Sequence, residues 1–412
     1  MKAVVVGGGL AGCAAALELL DEGHDVTMLE ARPTLGGAVQ TLPERDGDPA
    51  PPPDNGQHIA LGCFTEYLAF LERIGESGSV RRLRLSLPVV DERRRWARIS
   101  PGSILLARYA HLPLRERPLV WQLLALRGLD PAAHDDETFA DFLLSKGQSQ
   151  VAIERFWDVF IRPALNLPSA EASAAMGLFT VQTALLAGRR AGELVLPVKP
   201  LGWMHGDAAR RALESSGATI ETGVRVDDLD DVDADAIVVA TPPAESTRLL
   251  GDAEAGLDPS PIASVHLLFD RPLLRTPLAA LLGSDAHWVF DRGALTGHPP
   301  EQGQYLTVVS SGVPELMEIR GRELVDHIAG QLTERLGPAE VVWSRVSREP
   351  QATVALRPGT ASRRPGPFTS RPNVTRAGAW TATGWPATME SAVRSGRAAA
   401  RVLSDVTTRV AV

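Results

Sequence analysis

An α/β dinucleotide-binding domain, discontinuous in sequence, joined to an α+β domain with a mixed sheet and helices, is the fold class this 412-residue chain predicts. Three observations lead there. A glycine triplet lies between an apolar strand and a helix at the start. Later strand patterns alternate irregularly with helical ones instead of repeating as a unit. The end returns to an alanine-rich helix, so the chain is expected to leave its first domain and come back to it.

Residues 3–30 read as strand, tight turn, helix, strand: Ala3-Val4-Val5-Val6, then Leu10 to Leu20, then Asp25 to Glu30. Residues 43–56 hold Pro43, Pro49 and Pro51-Pro52-Pro53, which forbid regular structure and predict a loop. Helical spacing resumes from Thr65 to Ile74 and dominates 101–190, with prolines at the joints. Thr219 to Val226 and Ala236 to Ala240 read as strands around an acidic turn. Further strands are expected at 262–269, 286–290, 304–309 and 340–346, with helices at 321–336 and 387–403. The expected division is a dinucleotide-binding domain built from 1–75, 196–260 and 366–412, with a helical part at 76–195 and a sheet part at 261–365 forming the other domain.

Composition narrows the function classes. With 44% hydrophobic and 22% charged residues the chain is globular, and its net charge of −8 argues against a nucleic-acid partner. No apolar run has the length of a membrane span, and the apolar start breaks at once into three glycines, unlike a signal peptide. Cys13 and Cys63, the two cysteines, have neither metal nor redox spacing, which predicts a reduced, cytoplasmic setting.

The chemistry begins with Val6-Gly7-Gly8-Gly9-Leu10-Ala11-Gly12. Gly7 would make the tight turn, Gly9 would let backbone approach a pyrophosphate, and Gly12 would let the helix pack on the strand. The helix N-terminus at Leu10 and Ala11 would face the phosphates. Glu30 ends the next strand, where a carboxylate accepts hydrogen bonds from an adenosine ribose. Strand, helix and acid in this register predict a dinucleotide site.

Which dinucleotide follows from a resemblance. Glu30-Ala31-Arg32-Pro33-Thr34-Leu35-Gly36-Gly37 carries a second glycine pair after the acid. With the first motif it resembles the flavin amine oxidase and phytoene desaturase superfamily, in which such a run wraps FAD. The stretch Val224-Arg225-Val226, with 234–243 after it, looks like that superfamily's adenine-side strand and return strand. Gly378-Ala379-Trp380-Thr381 and then Gly384 to Val393, with Met389 and Ala392 at the start of the last helix, look like its C-terminal flavin segment. Asp54-Asn55-Gly56-Gln57-His58 occupies the position that lies beside the isoalloxazine ring there. DNGQH with Gly62, and the TGWPATMESAVRSG ending, are similar to the hydroxysqualene dehydroxylase family.

The resemblance implies an FAD-dependent oxidoreductase of squalene and hopanoid biosynthesis. It would reduce hydroxysqualene to squalene, with a hydroxyl lost and a hydride gained. Gln57 and His58 are then the candidate catalytic pair, His58 giving a proton to the leaving hydroxyl and Gln57 orienting substrate or ring. The alternative for both is hydrogen bonding within a loop. The other readings of the whole are a carotenoid-type desaturase, with electrons flowing the opposite way, and a non-catalytic FAD-binding protein that hands isoprenoids between enzymes. One dinucleotide site is visible, so the electron donor is not read from the sequence.

Two positions depart from the superfamily pattern: Ala38 where an arginine is usual, and Ala379 where an acid is usual. One lost hydrogen bond costs about 1 kcal/mol, which weakens FAD binding without abolishing it. Lys199 before Pro200 resembles the flavin-side lysine of amine oxidases, although its setting is a domain crossing. Seven arginines between 81 and 98 form either a solvated face or a contact for anionic lipid or a diphosphate. Leu119, Val120, Leu123 and Leu124, with Trp121, form an apolar helix face for the core or for a membrane surface that holds the substrate.

Overall fold

The structure, a computed structural model, describes residues 1–105 and 107–410, with the side chains at 105, 118–122 and 406–410 outside the description. Strands Lys2–Val6, Asp25–Glu30, Thr219–Thr222, Ala236–Val239 and Val374–Arg376 form one five-stranded parallel sheet. Its spatial order is 374–376, 236–239, 2–6, 25–30, 219–222. A parallel sheet is covered on both faces, so its central strands are apolar without alternation. Ala3, Val5, Ala236 and Val238 pack with the first helix, Leu10–Asp21, and the last, Met389–Val410. Val4, Val6, Ile237 and Val239 pack on the other side with Val226, Leu229 and Leu249. The discontinuous α/β class is therefore present: three well-separated stretches supply one sheet.

A seven-stranded mixed sheet forms the second layer system, in the order 341–354, 259–269, 304–311, 288–291, 278–281, 87–90, 96–99. Its pairs are antiparallel except Leu278–Leu281 with Leu87–Val90. Val265, Leu267, Leu306 and Val308 face the helix Gly321–Leu336 through Leu324, Ile328 and Leu332. Alternate residues point the other way, and there the strands carry Ser264, His266 and Thr307, all buried. Residues 101–190 supply short helices around a core of Phe139, Phe142, Phe156 and Trp157.

Several expectations shift. The strand expected over 219–226 stops at Thr222, because Gly223 turns the chain with a φ of +75°. The arginine run 81–98 overlaps three strands, Val80–Leu83, Leu87–Val90 and Trp96–Ile99, whose four-residue lengths are too short for a periodic signal. The last helix begins at Met389, two residues later than expected. Leu119, Val120 and Trp121 lie outside the described side chains; Leu123 is buried, whereas Leu124 is 58% exposed.

The first and last helices approach so closely that one position must be glycine. A Cβ on Gly396 would lie 2.0 Å from the Ala11 carbonyl oxygen and 3.0 Å from the Ala15 nitrogen. Gly396→Val is expected to force the helices apart and destabilise the fold by about 1–3 kcal/mol, the usual cost of overpacking. Urea unfolding of the variant reads this as a lowered midpoint; an unchanged midpoint would show that the two helices part freely.

Candidate functional site

The glycine turn is built by contact, not by sequence spacing alone. Gly7 has a φ of +107°, and a Cβ there would meet the Ala240 carbonyl oxygen at 2.6 Å. A Cβ on Gly12 would sit 1.8 Å from the Gly7 oxygen, so the helix rests directly on the turn. Gly9 precedes the helix in extended conformation, no side chain caps it, and the first turn carries no acid. The leading N–H groups, at Leu10 and Ala11 among others, have no intrahelical acceptor. An uncapped N-terminus among glycines is the arrangement a pyrophosphate requires.

The second glycine pair closes over the first. The Gly36 nitrogen donates to the Gly8 carbonyl at 2.8 Å, and Gly37, with a φ of +59°, would bring a Cβ within 2.7 Å of the Gly9 Cα. Glu30 joins the two turns. One carboxylate oxygen accepts from the Gly8 nitrogen at 2.5 Å and the other from the Arg32 nitrogen at 2.8 Å, while Arg32 Nη1 donates to the Gly37 carbonyl. Each oxygen keeps a second lone pair for a ribose hydroxyl. Ala31 is exposed beside it. The Val224 nitrogen donates to the Glu30 carbonyl at 3.0 Å, which brings buried Val226 to the same edge of the sheet.

DNGQH reaches this place through its first two residues. Asn55 donates through Nδ2 to the Ala38 carbonyl at 2.8 Å, and its nitrogen donates to the Gln40 carbonyl at 2.9 Å. Asp54 is buried and pairs at 2.7 Å with Arg292, itself 2% exposed. It also accepts from the Thr41 hydroxyl and the Leu201 nitrogen, both at 2.8 Å. Burial raises the Asp54 pKa, and the Arg292 guanidinium opposes that rise. Gly56 lies against Ser264 of the mixed sheet: a Cβ there would come within 2.9 Å of the Ser264 hydroxyl. Buried Gln57 and partly buried His58 follow at the junction of the two sheets.

Burial lowers the His58 pKa from its ordinary value, and the Gly56 carbonyl only partly counters it. Nδ1 lies 3.4 Å from that carbonyl, so the neutral ring carries its proton on Nδ1 and leaves Nε2 as an acceptor. Near it, His205 is held neutral by burial, its pKa pushed down to about 4. Its Nδ1 donates to the Leu201 carbonyl and its Nε2 accepts from the Tyr67 hydroxyl.

The C-terminal segment completes the arrangement. The Ala377 nitrogen donates to the Val239 carbonyl and the Gly378 nitrogen to the Ser395 hydroxyl, fixing 377–388 beside the glycine turn. Met389 and Ala392 open the last helix and pack against the same core as Leu10 and Ala11. Ala379, where an acid is usual in the resembling proteins, has its carbonyl taken by Arg364 and Ser391.

The predicted cofactor residues are thus gathered around the glycine turns at one edge of the parallel sheet. Lys199 is not: it pairs with Glu76 at 2.8 Å and is half exposed, so its partner is a carboxylate just before the strand Val80–Leu83. Arg292 and Arg364 belong to the arrangement and escaped sequence reading. An arginine beside other charged or proline residues reads as surface; no local spacing reveals the Asp54 partner of Arg292, and backbone carbonyls such as those around Arg364 leave no mark in the sequence.

The profile of the family described as flavin containing amine oxidoreductase matches residues 10–404. The chain belongs to that family. Its cofactor is accordingly FAD, and the uncapped helix, the glycine cradle and Glu30 fit the group's pyrophosphate and ribose. It is similar to a hydroxysqualene dehydroxylase of Sinorhizobium fredii, at 29% identity over 98% of this chain and 99% of the relative. It is also similar to a zeta-carotene desaturase of Synechocystis sp., at 26% identity over 98% and 97% of the two chains. Among solved structures, cyclohexylamine oxidase from Brevibacterium oxydans shares the fold, with a TM-score of 0.71, 18% identity and coverage of 98% and 99%.

Glu30→Ala in this flavin oxidoreductase is expected to weaken FAD binding by about 1–3 kcal/mol, the range for a charged hydrogen-bond partner. Titration of the apoprotein with FAD measures it, and unchanged affinity would remove the ribose assignment. Arg292→Leu leaves the Asp54 carboxylate buried without its cation and should cost about 3–5 kcal/mol of stability. The double variant Asp54→Leu/Arg292→Leu should recover part of that loss in chemical denaturation, since no charge is then stranded.

Proposed function

We propose that this FAD-dependent oxidoreductase reduces hydroxysqualene to squalene. The observation that carries the reading is the buried, doubly anchored DNGQH loop. It places Gln57 and His58 where the glycine turns and the mixed sheet meet, in a chain matched end to end by hydroxysqualene dehydroxylases. When bound and reduced, FAD supplies the hydride that replaces the hydroxyl. The loss of an allylic hydroxyl leaves a delocalised cation, and the chain's task is to help that hydroxyl go while keeping water out.

Residues 54–58 suit that task. Asp54 and Arg292 neutralise one another, so the loop adds no net charge near a developing cation. Gln57 offers an amide to orient the departing oxygen. His58 donates a proton to it, which turns hydroxide into water. Since the neutral ring keeps its proton on Nδ1, that donation needs the charged form, which burial makes scarce at neutral pH.

The carotenoid-desaturase reading has one specific support, the 26% identity to a zeta-carotene desaturase over nearly the whole chain. It requires the reverse electron flow and no leaving hydroxyl. In either case the substrate is an isoprenoid that resides in lipid, and a membrane surface is the place to collect it. No helix among the described residues is long and apolar enough to cross a membrane. Residues 93–128 nevertheless hold eight arginines against one glutamate, and Leu114 and Leu124 stand 78% and 58% exposed among them. That combination fits an anionic lipid surface. The electron donor is a separate partner of the protein.

Anaerobic incubation with hydroxysqualene and chemically reduced FAD should yield squalene; recovery of unchanged alcohol together with desaturation of a carotene by the oxidised protein would transfer the assignment to the second reading. His58→Ala should leave flavin content nearly intact while slowing single turnover by about 10²- to 10⁴-fold, the worth of a positioned acid. The wild-type rate per flavin should rise as pH falls below 6.5, because the charged His58 is populated only there, and should lose that dependence in the variant. A near-normal rate in His58→Ala removes the acid role.

A further inference from the structure

Arg364 stands apart from the other buried arginines. Arg292, Arg345 and Arg376 each face an aspartate, Asp54, Asp48 and Asp252 respectively, and Arg335, which donates to the Gly283 carbonyl, has Glu92 within electrostatic reach. Arg364 is 6% exposed, yet its partners are neutral. Its Nε donates to the Trp380 carbonyl at 3.0 Å, Nη1 to the Trp385 carbonyl at 2.6 Å and Nη2 to the Ala379 carbonyl at 2.9 Å, with the Ser391 hydroxyl at 3.5 Å. Among the described residues no carboxylate offsets it; burial alone acts on it and pushes its pKa down to about 10. It remains a cation at neutral pH, and an uncompensated buried cation costs several kcal/mol.

Its partners identify what the charge is for. All three carbonyls and Ser391 belong to the segment from Ala379 to the first turn of the last helix, which resembles the C-terminal flavin segment of the flavin amine oxidase superfamily. With the carbonyl oxygens turned in toward Arg364, their peptide dipoles present positive ends on the opposite side. The N-terminus of the Met389–Val410 helix adds a further partial positive charge at the same place. A cation, turned dipoles and a helix start are directed at one region; the carboxylate in that first turn, Glu390, pairs with Arg394 and with the backbone of Glu66 and Tyr67, and makes no ion pair with Arg364.

We infer that Arg364 is the built-in counter-charge to the reduced flavin: a positioning residue that binds no substrate but raises the reduction potential of the bound FAD through the segment it clamps. Two-electron reduction without full protonation places negative charge on the ring, and a fixed cation nearby favours that form over the neutral oxidised one. The inference rests on FAD binding and on the placement of residues 379–389 beside the ring, and is independent of which isoprenoid is the substrate.

The test is the midpoint potential of the purified holoprotein, equilibrated anaerobically with dithionite and a reference dye. Arg364→Gln keeps two donors for the carbonyls and removes the charge; Arg364→Lys keeps the charge. The Gln variant should bind reduced FAD about tenfold less tightly relative to oxidised FAD, a fall of about 30 mV for a two-electron couple. The Lys variant should stay near wild type. Equal potentials in wild type and Arg364→Gln would reduce Arg364 to a mechanical clamp and overturn the inference. Should the Gln variant fail to hold flavin, the wild-type protein decides alone. Its midpoint should stand above that of free FAD at the same pH, and a value at or below it overturns the inference. None of these readings uses hydroxysqualene, so a failed substrate assignment leaves them standing.

Discussion

The buried pair between Asp54 and Arg292 is the constraint on which the site depends. Taking two charges out of water costs several kcal/mol for each ion, and the interaction persists only where the remaining hydrogen-bonding capacity is met. Here it largely is. The carboxylate takes two further donors from Thr41 and Leu201, and the guanidinium also donates to the Pro52 carbonyl. Those donors come from different parts of the chain: Thr41 from the loop after the second glycine pair, Leu201 from the crossing near 200, and Arg292 from the end of a strand in the mixed sheet. One carboxylate therefore fixes the distance between the parallel sheet's loops and the mixed sheet. Gly56, Gln57 and His58 follow within four residues and inherit that placement.

This arrangement also explains why a proline-rich loop can carry a defined site. Residues 43–53 have no regular structure, yet the loop is tied at both ends. The Leu42 nitrogen donates to the Pro53 carbonyl, and Arg345 of the mixed sheet holds both Asp48 and the Pro43 carbonyl. Prolines lower the entropy of the unfolded loop, so fewer contacts are needed to order it. The ordering is electrostatic at the base and steric above, where Gly56 fits against Ser264.

What could be read from sequence was what is local. The strand, glycine turn and helix announce themselves within twelve residues, because backbone approach demands glycine at fixed offsets. Glu30 follows from the strand's length, and DNGQH is polar where folding alone would ask for nothing polar. The helix at 321–336 is likewise local, its period carried by Leu324, Ile328 and Leu332. The rest is long-range. Nothing near Asp54 points to Arg292, 238 residues on. Arg364 carries no local signal, and only the fold shows it surrounded by carbonyls. The Leu278–Leu281 and Leu87–Val90 strands were missed because four apolar residues buried on both faces have no period to detect.

The distribution of charge around the site constrains the chemistry further. On the DNGQH side the ionised groups cancel and the two histidines are neutral. On the side of the last helix Glu390 is neutralised by Arg394, and the Arg364 guanidinium, with no carboxylate partner among the described residues, leaves positive potential. Positive potential beside a reduced cofactor stabilises it and so makes it a milder reductant. A mild reductant cannot displace hydroxide from an unactivated carbon; it needs an acceptor that is already electrophilic. Ionisation of an allylic hydroxyl produces such an acceptor, and it would proceed where no fixed cation repels the developing charge, which is the neutralised DNGQH side. The two sides of the site are thus suited to opposite charges. In the proposed reaction the protein's help would fall on departure of the hydroxyl, the step to which Gln57 and His58 are proposed to contribute.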